Sequence, residues 1–232
     1  ETRTLFSAAV AAGVTVDDPS QANLNAFTVD PSGNRYVTGS FDATGTVTSA
    51  QGSTSVTTSG AQDGFIAKIA PDGTLLWIKT FGGAGNDAGT ALAFDAQHGL
   101  LLGGTFQGDV TIDGQGIAGG AGGVFIATLD SNNLFVVHDF ADGSQATLAK
   151  IVPDGHNGLL LSGTFTGTAN PTPAGTTQLT AAAPSAPADG FLEKTDASFH
   201  TLWADDLGDV RVFSLNGLAA DAAGNAVADG IL

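Results

Sequence analysis

Apolar residues in this chain fall at alternate positions over short runs, and the runs end in turn-forming residues. Phe27 and Val29 alternate with polar neighbours, as do Phe65, Ala67 and Ile69. A period of two over four to eight residues predicts a half-buried β-strand, because successive strand side chains point to opposite faces. The runs close on Asp30-Pro31-Ser32-Gly33 and Ala70-Pro71-Asp72-Gly73. Pro at the second turn position and Gly at the fourth suit a type I turn. The Gly then takes the left-handed conformation of a bulged hairpin.

Two such hairpins recur in alternation. The first runs Leu24-Asn-Ala-Phe-Thr-Val-Asp30-Pro-Ser-Gly33-Asn34-Arg-Tyr-Val-Thr-Gly39, and it returns around Asp95–Gly104, Asp154–Gly163 and Asp221–Gly230. In all four copies the turn Asp lies nine residues before the closing Gly, and those glycines stand 65, 59 and 67 residues apart. The second hairpin runs Asp63-Gly-Phe65-Ile-Ala-Lys-Ile69 through Trp77, and it returns at Gly123–Val137 and Asp189–Trp203. Twelve residues separate Phe65, Phe125 and Phe191 from Trp77, Val137 and Trp203 respectively. Each unit thus holds four short strands, which predicts an all-β fold. A four-stranded unit repeated in fixed order predicts a β-propeller of antiparallel blades about 60 residues long, part of a longer propeller.

The expected division is 24–83, 90–140 and 147–206 as blades and 213–232 as an incomplete blade. Residues 1–23 would supply the last strand of a preceding or closing blade, around Thr4-Leu5-Phe6, plus a linker. Between the hairpins lie Thr-, Ser-, Gly- and Pro-rich stretches at 42–62, 107–122 and 166–188, which read as variable loops. A chain of this kind that begins at Glu1 and contains no Met reads as a processed or partial product.

Asp30-Pro-Ser-Gly-Asn34-Arg-Tyr-Val-Thr-Gly39-Ser-Phe41, Asp63-Gly-Phe-Ile-Ala-Lys-Ile69 and Gly73-Thr-Leu-Leu-Trp77-Ile-Lys-Thr-Phe81-Gly-Gly83 resemble the bacterial β-propeller repeat family known as SBBP. The second unit departs from it at Val137 and at its turn, the third at Asp196-Ala-Ser-Phe199. The resemblance covers the chain from about Leu24 onward. It implies an exported or surface-attached propeller module and supplies no catalytic residue.

Charge narrows the partners. Seven basic and 23 acidic residues in 232 give a net charge of −16. So acidic a chain repels phosphate backbones and anionic membranes, which argues against nucleic-acid binding. No apolar run is long enough for a membrane helix, and there is no Cys for a disulfide, thiolate metal site or nucleophile.

Candidate chemistry is sparse. His98, His138, His156 and His200 lack metal-ligand spacing. His98, His156 and His200 read as solvated turn residues, and His138-Asp139 as a strand-end pair. The recurring Asp30, Asp95, Asp154 and Asp221 read as caps of their own turns. Calcium is the alternative there, although the alternating ligand ladder of a calcium loop is missing. Gly82–Gly85 and the glycines of 114–123 lack the Lys-Ser/Thr of a phosphate loop, and no Gly-x-Ser-x-Gly elbow occurs. Trp77 and Trp203 read as packing between blades. No catalytic, cofactor-binding or metal residue is assigned.

The expected function is a non-enzymatic, exported or periplasmic scaffold that contacts proteins, surfaces or other domains of its own chain through variable loops. One alternative is a structural subunit of an extracellular sheath, filament or surface layer, with self-assembly. Another is a propeller enzyme, such as a quinoprotein-like oxidoreductase or a glycan-processing enzyme; Gly73–Trp77 echoes a quinoprotein strand.

Overall fold

The computed structural model describes residues 15–17, 22–42, 44–49, 52–118, 122–130, 132–133, 135–142, 146–170, 178–181, 188–209 and 214–231. Among them there is no helix, and every sheet is antiparallel. Among the described residues the first strand is β1 (Thr15–Asp17). A first unit follows: β2 (Ala22–Val29), β3 (Arg35–Phe41), β4 (Gly45–Ser49), β5 (Gly52–Val56), β6 (Asp63–Ile69) and β7 (Leu75–Gly83). The second comprises β8 (Ala88–Asp95), β9 (Gly99–Phe106), β10 (Val110–Ile112), β11 (Gln115–Ile117), β12 (Gly123–Leu129) and β13 (Phe135–Asp142). The third comprises β14 (Thr147–Pro153), β15 (Leu159–Phe165), β16 (Thr168–Ala169), β17 (Leu179–Thr180), β18 (Asp189–Thr195) and β19 (Thr201–Asp209). Two strands, β20 (Ser214–Ala220) and β21 (Ala226–Ile231), end the array.

Within each full unit four strands pair in chain order, β2-β3-β6-β7, β8-β9-β12-β13 and β14-β15-β18-β19. The connection between second and third strands is a further hairpin: β4–β5, β10–β11 or β16–β17. These stretches read as loops in the sequence. Their strands are built from Thr/Val alternation in Gly45-Thr-Val-Thr-Ser49 and from Asp113-Gly114, whose φ of 47° and 81° suit a primed two-residue turn. The prolines of 166–188 and the segment around Thr4-Leu5-Phe6 lie outside the described residues.

The turns take the expected form. Gly33 and Gly73 have φ of 79° and 90°, and each donates its N–H back to the carbonyl three residues earlier, 2.9 Å away. The Gly-less turns keep the same geometry. Asn133 and Phe199 stand at φ of 59° and 65°, and their N–H groups bond Asp130 and Asp196 carbonyls at 3.1 Å.

Both faces of a unit are apolar, and units cover one another. Tyr36, Ile66 and Phe81 of the first unit bury against Leu100, Leu102, Phe106, Phe125 and Phe135 of the second. Leu101, Val124 and Ile126 of the second bury against Leu148, Leu159, Leu161, Phe165 and Phe191 of the third. Trp77 lies in the first seam, its ring 6.1 Å from that of Tyr36. Burying each large aliphatic or aromatic side chain contributes about 1.5–3 kcal/mol. The seams admit no extra atoms in places: a methyl on Gly89 of β8 would collide with Thr38 Oγ1 of β3. Thr38 cannot swing away, because its hydroxyl donates 2.5 Å to the Phe65 carbonyl.

The inserted hairpin of the second unit ties two sheets together. Val110 and Thr111 of β10 pair with Gly83 and Gly82, extending the first sheet. Asp113 accepts a bond from Lys79 Nζ at 2.9 Å on one side and from Phe135 N at 2.8 Å on the other. Gln115 Nε2 donates 2.5 Å to the Phe135 carbonyl. Backbone groups at an outer strand edge, a usual liability of sheets, are thereby occupied.

This seam makes a paired prediction. Gly89→Ala should lower stability by about 1–3 kcal/mol through overpacking. Gly116→Ala, with open space around it, should stay within about 0.5 kcal/mol of wild type. Urea unfolding of both variants measures the difference.

Candidate functional site

The turn ends of the sheets carry a row of capped aspartates. Asp30 Oδ1 accepts the Ser32 and Asn34 N–H groups, both at 2.9 Å, while Oδ2 accepts Asn34 Nδ2 at 2.8 Å and Tyr36 Oη at 3.1 Å. Asp221 repeats the pattern with Ala223 and Asn225. Asp154 Oδ1 accepts from His156 N and Gly158 N, and Oδ2 lies 3.1 Å from Lys194 Nζ. Asp95 takes the Gln97 and His98 N–H groups. Burial acts to raise the Asp30 and Asp154 carboxyls, but their donors outweigh it and hold both below the ordinary range. Among the described residues no three His, Cys, Asp or Glu side chains form a group that could hold a metal ion.

One histidine departs from the solvated turn expected of it. The His98 side chain is only 6% exposed. Its Nδ1 lies 2.8 Å from Asp95 Oδ2, and its ring lies 5.3 Å from that of Phe199 in the third unit. The reason is register: the turn after β8 meets the turn after β18, and the imidazole fills the gap. His156 and His200 are exposed, each beside its own turn Asp. His138 sits in β13 opposite Ile126, and its side chain lies outside the described residues.

At the opposite ends of the sheets, beside the inserted hairpins, a cleft of about 360 Å³ spans all three units. Gln62, Asn86, Thr105, Gln107, Thr147, Thr164 and Thr166 supply its polar lining, and among the described residues no charged one lines it. Part of that lining is already paired: Asn86 Nδ2 donates to Gln107 Oε1 at 3.1 Å, and the Thr147 and Thr164 hydroxyls share a bond at 2.7 Å. The cleft can offer amides and hydroxyls to a neutral polar group.

Directly beneath Gln62 and Asn86 in sequence stand two buried carboxylates, Asp63 and Asp87. Asp87 accepts Gly83 N at 2.7 Å and Gln107 N at 3.2 Å, fastening the link between the first two units to the end of β9. Asp63 Oδ2 accepts Ser59 N at 2.8 Å, while its Oδ1 has no hydrogen-bond partner. Burial raises both carboxyls, and the Asp63 charge adds to the effect on Asp87.

Another buried acid lies in the seam between the second and third units. Glu193 stands two residues after Phe191, where the other units have Ala67 and Ala127. Thr195 and Thr201 likewise replace Ile69 and Leu75, or Leu129 and Phe135. Glu193 Oε1 accepts the Thr201 hydroxyl at 2.5 Å; Glu193 Oε2 and Thr195 Oγ1 have no partner. Burial pushes the Glu193 carboxyl up to about 9. Asp63, Asp87 and Glu193 were not singled out by sequence reasoning. Aligning the three Phe-led strands would have exposed Glu193 as an acid at an apolar position, but nothing in the sequence marks Asp63 and Asp87 as buried.

Glu193 makes stability depend on pH. Unfolding lowers its pKa from about 9 to the ordinary 4.5. Its contribution is therefore fully present below pH 4.5, declines as pH rises from there to about 9, and is flat above. The total is on the order of several kcal/mol. Glu193→Gln should flatten the melting temperature of wild type between pH 5 and 9, as calorimetry across that range would show. Retention of the full wild-type slope in the variant would contradict the assignment.

Compared with known proteins, the chain matches no family model and no curated protein sequence.

Proposed function

We propose that the chain is a non-enzymatic recognition scaffold of β-propeller type, exported or displayed at a bacterial surface, and that its inserted hairpins make the contacts. The observation that carries this reading is the placement of those hairpins. All three lie between the second and third strands of their units, while the four-stranded frame around them keeps its order. They differ in length and composition: β4–β5 is rich in Thr and Ser, β10–β11 turns on Asp113-Gly114, and β16–β17 pairs only two residues per strand. A constant frame carrying variable segments at one end is how scaffolds present recognition surfaces.

The propeller reading is supported by how successive units meet. The first strands β2, β8, β14 and β20 each contact the next in order, as inner strands converging on one axis would. The SBBP-like motifs support export and surface display. The neutral cleft beside the hairpins suits a neutral, polar partner surface, and the net charge of −16 directs binding away from anionic ones.

Labelled chain bound to whole cells of its source, with unlabelled chain as competitor, tests this reading. Wild type should compete. A variant with 45–56 replaced by a short Gly-Ser turn should keep its β-sheet circular dichroism and compete at least ~10-fold less well. Equal competition by the folded variant would remove the hairpins from the function.

A further inference from the structure

Three positions on one face of the third sheet break the rule that the other two sheets keep. Glu193, Thr195 and Thr201 stand where the first unit has Ala67, Ile69 and Leu75 and the second has Ala127, Leu129 and Phe135. Those six apolar residues pack into the hydrophobic clusters of their own units. Any one of the three changes alone would put a polar group into a dry seam. Together they put three oxygen-bearing side chains side by side. Alternation along β18 turns Glu193 and Thr195 to the same face. Thr201 stands directly opposite Thr195 across the β18–β19 pair. Its hydroxyl reaches diagonally to Glu193 Oε1, 2.5 Å away.

The group does not satisfy itself. Glu193 and Thr195 are both 0% exposed, yet Glu193 Oε2 and Thr195 Oγ1 bond neither each other nor anything else. Buried polar atoms in folded proteins nearly always have a partner, so two such atoms on neighbouring positions of one face point to a guest between them. The carboxyl also lacks a counter-charge. Its own face of the seam is Leu161, Phe191 and Ala204, and the facing unit contributes Leu101, Val124 and Ile126. Lys194 is directed to the other face, where its Nζ meets Asp154 Oδ2 at 3.1 Å and the Gly224 carbonyl at 2.6 Å. Asp95 and His98 of the facing unit pair with each other in the turn after β8. Lys150 of β14 and Asp205 and Asp206 of β19 are exposed.

We infer that Glu193, Thr195 and Thr201 hold a monovalent alkali-metal cation in the seam between the second and third units. The donor set identifies the class of ion. All three side chains offer oxygen, which selects hard cations over the softer transition metals. They carry one negative charge between them, so a single positive charge leaves the seam neutral, whereas a divalent ion would leave a buried net charge. Calcium needs six to eight oxygen ligands and takes several of them from carboxylates. Binding is an exchange: the cation enters, the Glu193 carboxyl releases its proton to solvent, and the net charge of the seam is unchanged. The ion supplies the partner that Glu193 Oε2 and Thr195 Oγ1 lack. This site stands apart from the inserted hairpins, and the cell-competition result bears on neither its residues nor its ion.

Thermal unfolding of the full chain at pH 9, where the proton competes least, tests the site. Chlorides of sodium, potassium and tetramethylammonium are compared at ~0.15 M, where screening is the same for all three. Tetramethylammonium carries the same charge but is too bulky to sit among three side-chain oxygens. Wild type should melt about 3–6 °C higher in at least one alkali salt than in tetramethylammonium, as a ligand at ~10 times its Kd would cause in a chain of this size. Glu193→Gln and Thr195→Val should each lose that difference, while Asp205→Asn, which alters an exposed acid, should keep it. Should Glu193→Gln fail to fold, Glu193→Ala takes its place, since it restores the residue found at Ala67 and Ala127. Equal melting temperatures of wild type in all three salts would overturn the inference, as would a difference that survives in the Glu193 variant or in Thr195→Val.

Discussion

A four-stranded sheet that is apolar on both faces cannot bury itself; it needs a neighbour on each side. That requirement organises this protein. A single four-stranded sheet can cover neither of its faces, and the side chains that alternate along β3, β6, β9, β12 and β15 are buried on both sides of the sheet. Packing unit on unit turns those faces into two continuous seams. The constant spacing of turn Asp, closing Gly and leading Phe follows from it, because each seam must present matching side chains at the same height.

Polar groups are admitted to this frame on restricted terms. The turn aspartates satisfy backbone N–H groups that no strand partner reaches, as Asp30 does for Ser32 and Asn34. Asp87 performs the same service for the link between units, through Gly83 and Gln107. Glu193 is the exception, a carboxyl placed where its counterparts are alanines, and it holds its proton because the seam around it gives an anion little to interact with. Lys79, Asp113 and Gln115 do for the outer strands what the seams do for the faces, occupying edges that would otherwise pair with strangers.

The main repeat was legible because turn chemistry and strand period reinforce each other. Asp30-Pro31-Ser32-Gly33 states a turn, and Phe65-Ile-Ala-Lys-Ile69 states a strand. The inserted hairpins were hidden by composition: Thr and Ser in Gly45–Val56 read as loop, although the residues alternate as strand residues do. Asp113-Gly114 was the overlooked signal. Phe199 looked incompatible with a left-handed turn position, yet Asp196 caps Ser198 and His200 and keeps the turn in place. The alternation of Phe27 and Val29 predicted a half-buried strand. Alternation marks the face a residue occupies but cannot say whether another sheet covers it, and here they are half exposed. Of the site, the capping role of the aspartates followed from their recurrence. The burial of His98, Asp63 and Asp87 depends on contacts between distant units that no local pattern encodes.

Disulfide trapping across the first seam tests the face-to-face packing most directly. The chain has no Cys, and a Cβ on Gly89 would lie 3.0 Å from Thr38 Cβ, inside the ~3.5–4.5 Å span of a disulfide, so that a slight opening of the seam admits the bond. In the double variant Thr38→Cys, Gly89→Cys, mild oxidation of the folded protein should close an intramolecular bond nearly completely. Thiols that stay free in the folded chain, and pair only after denaturation, would contradict the packing of these units.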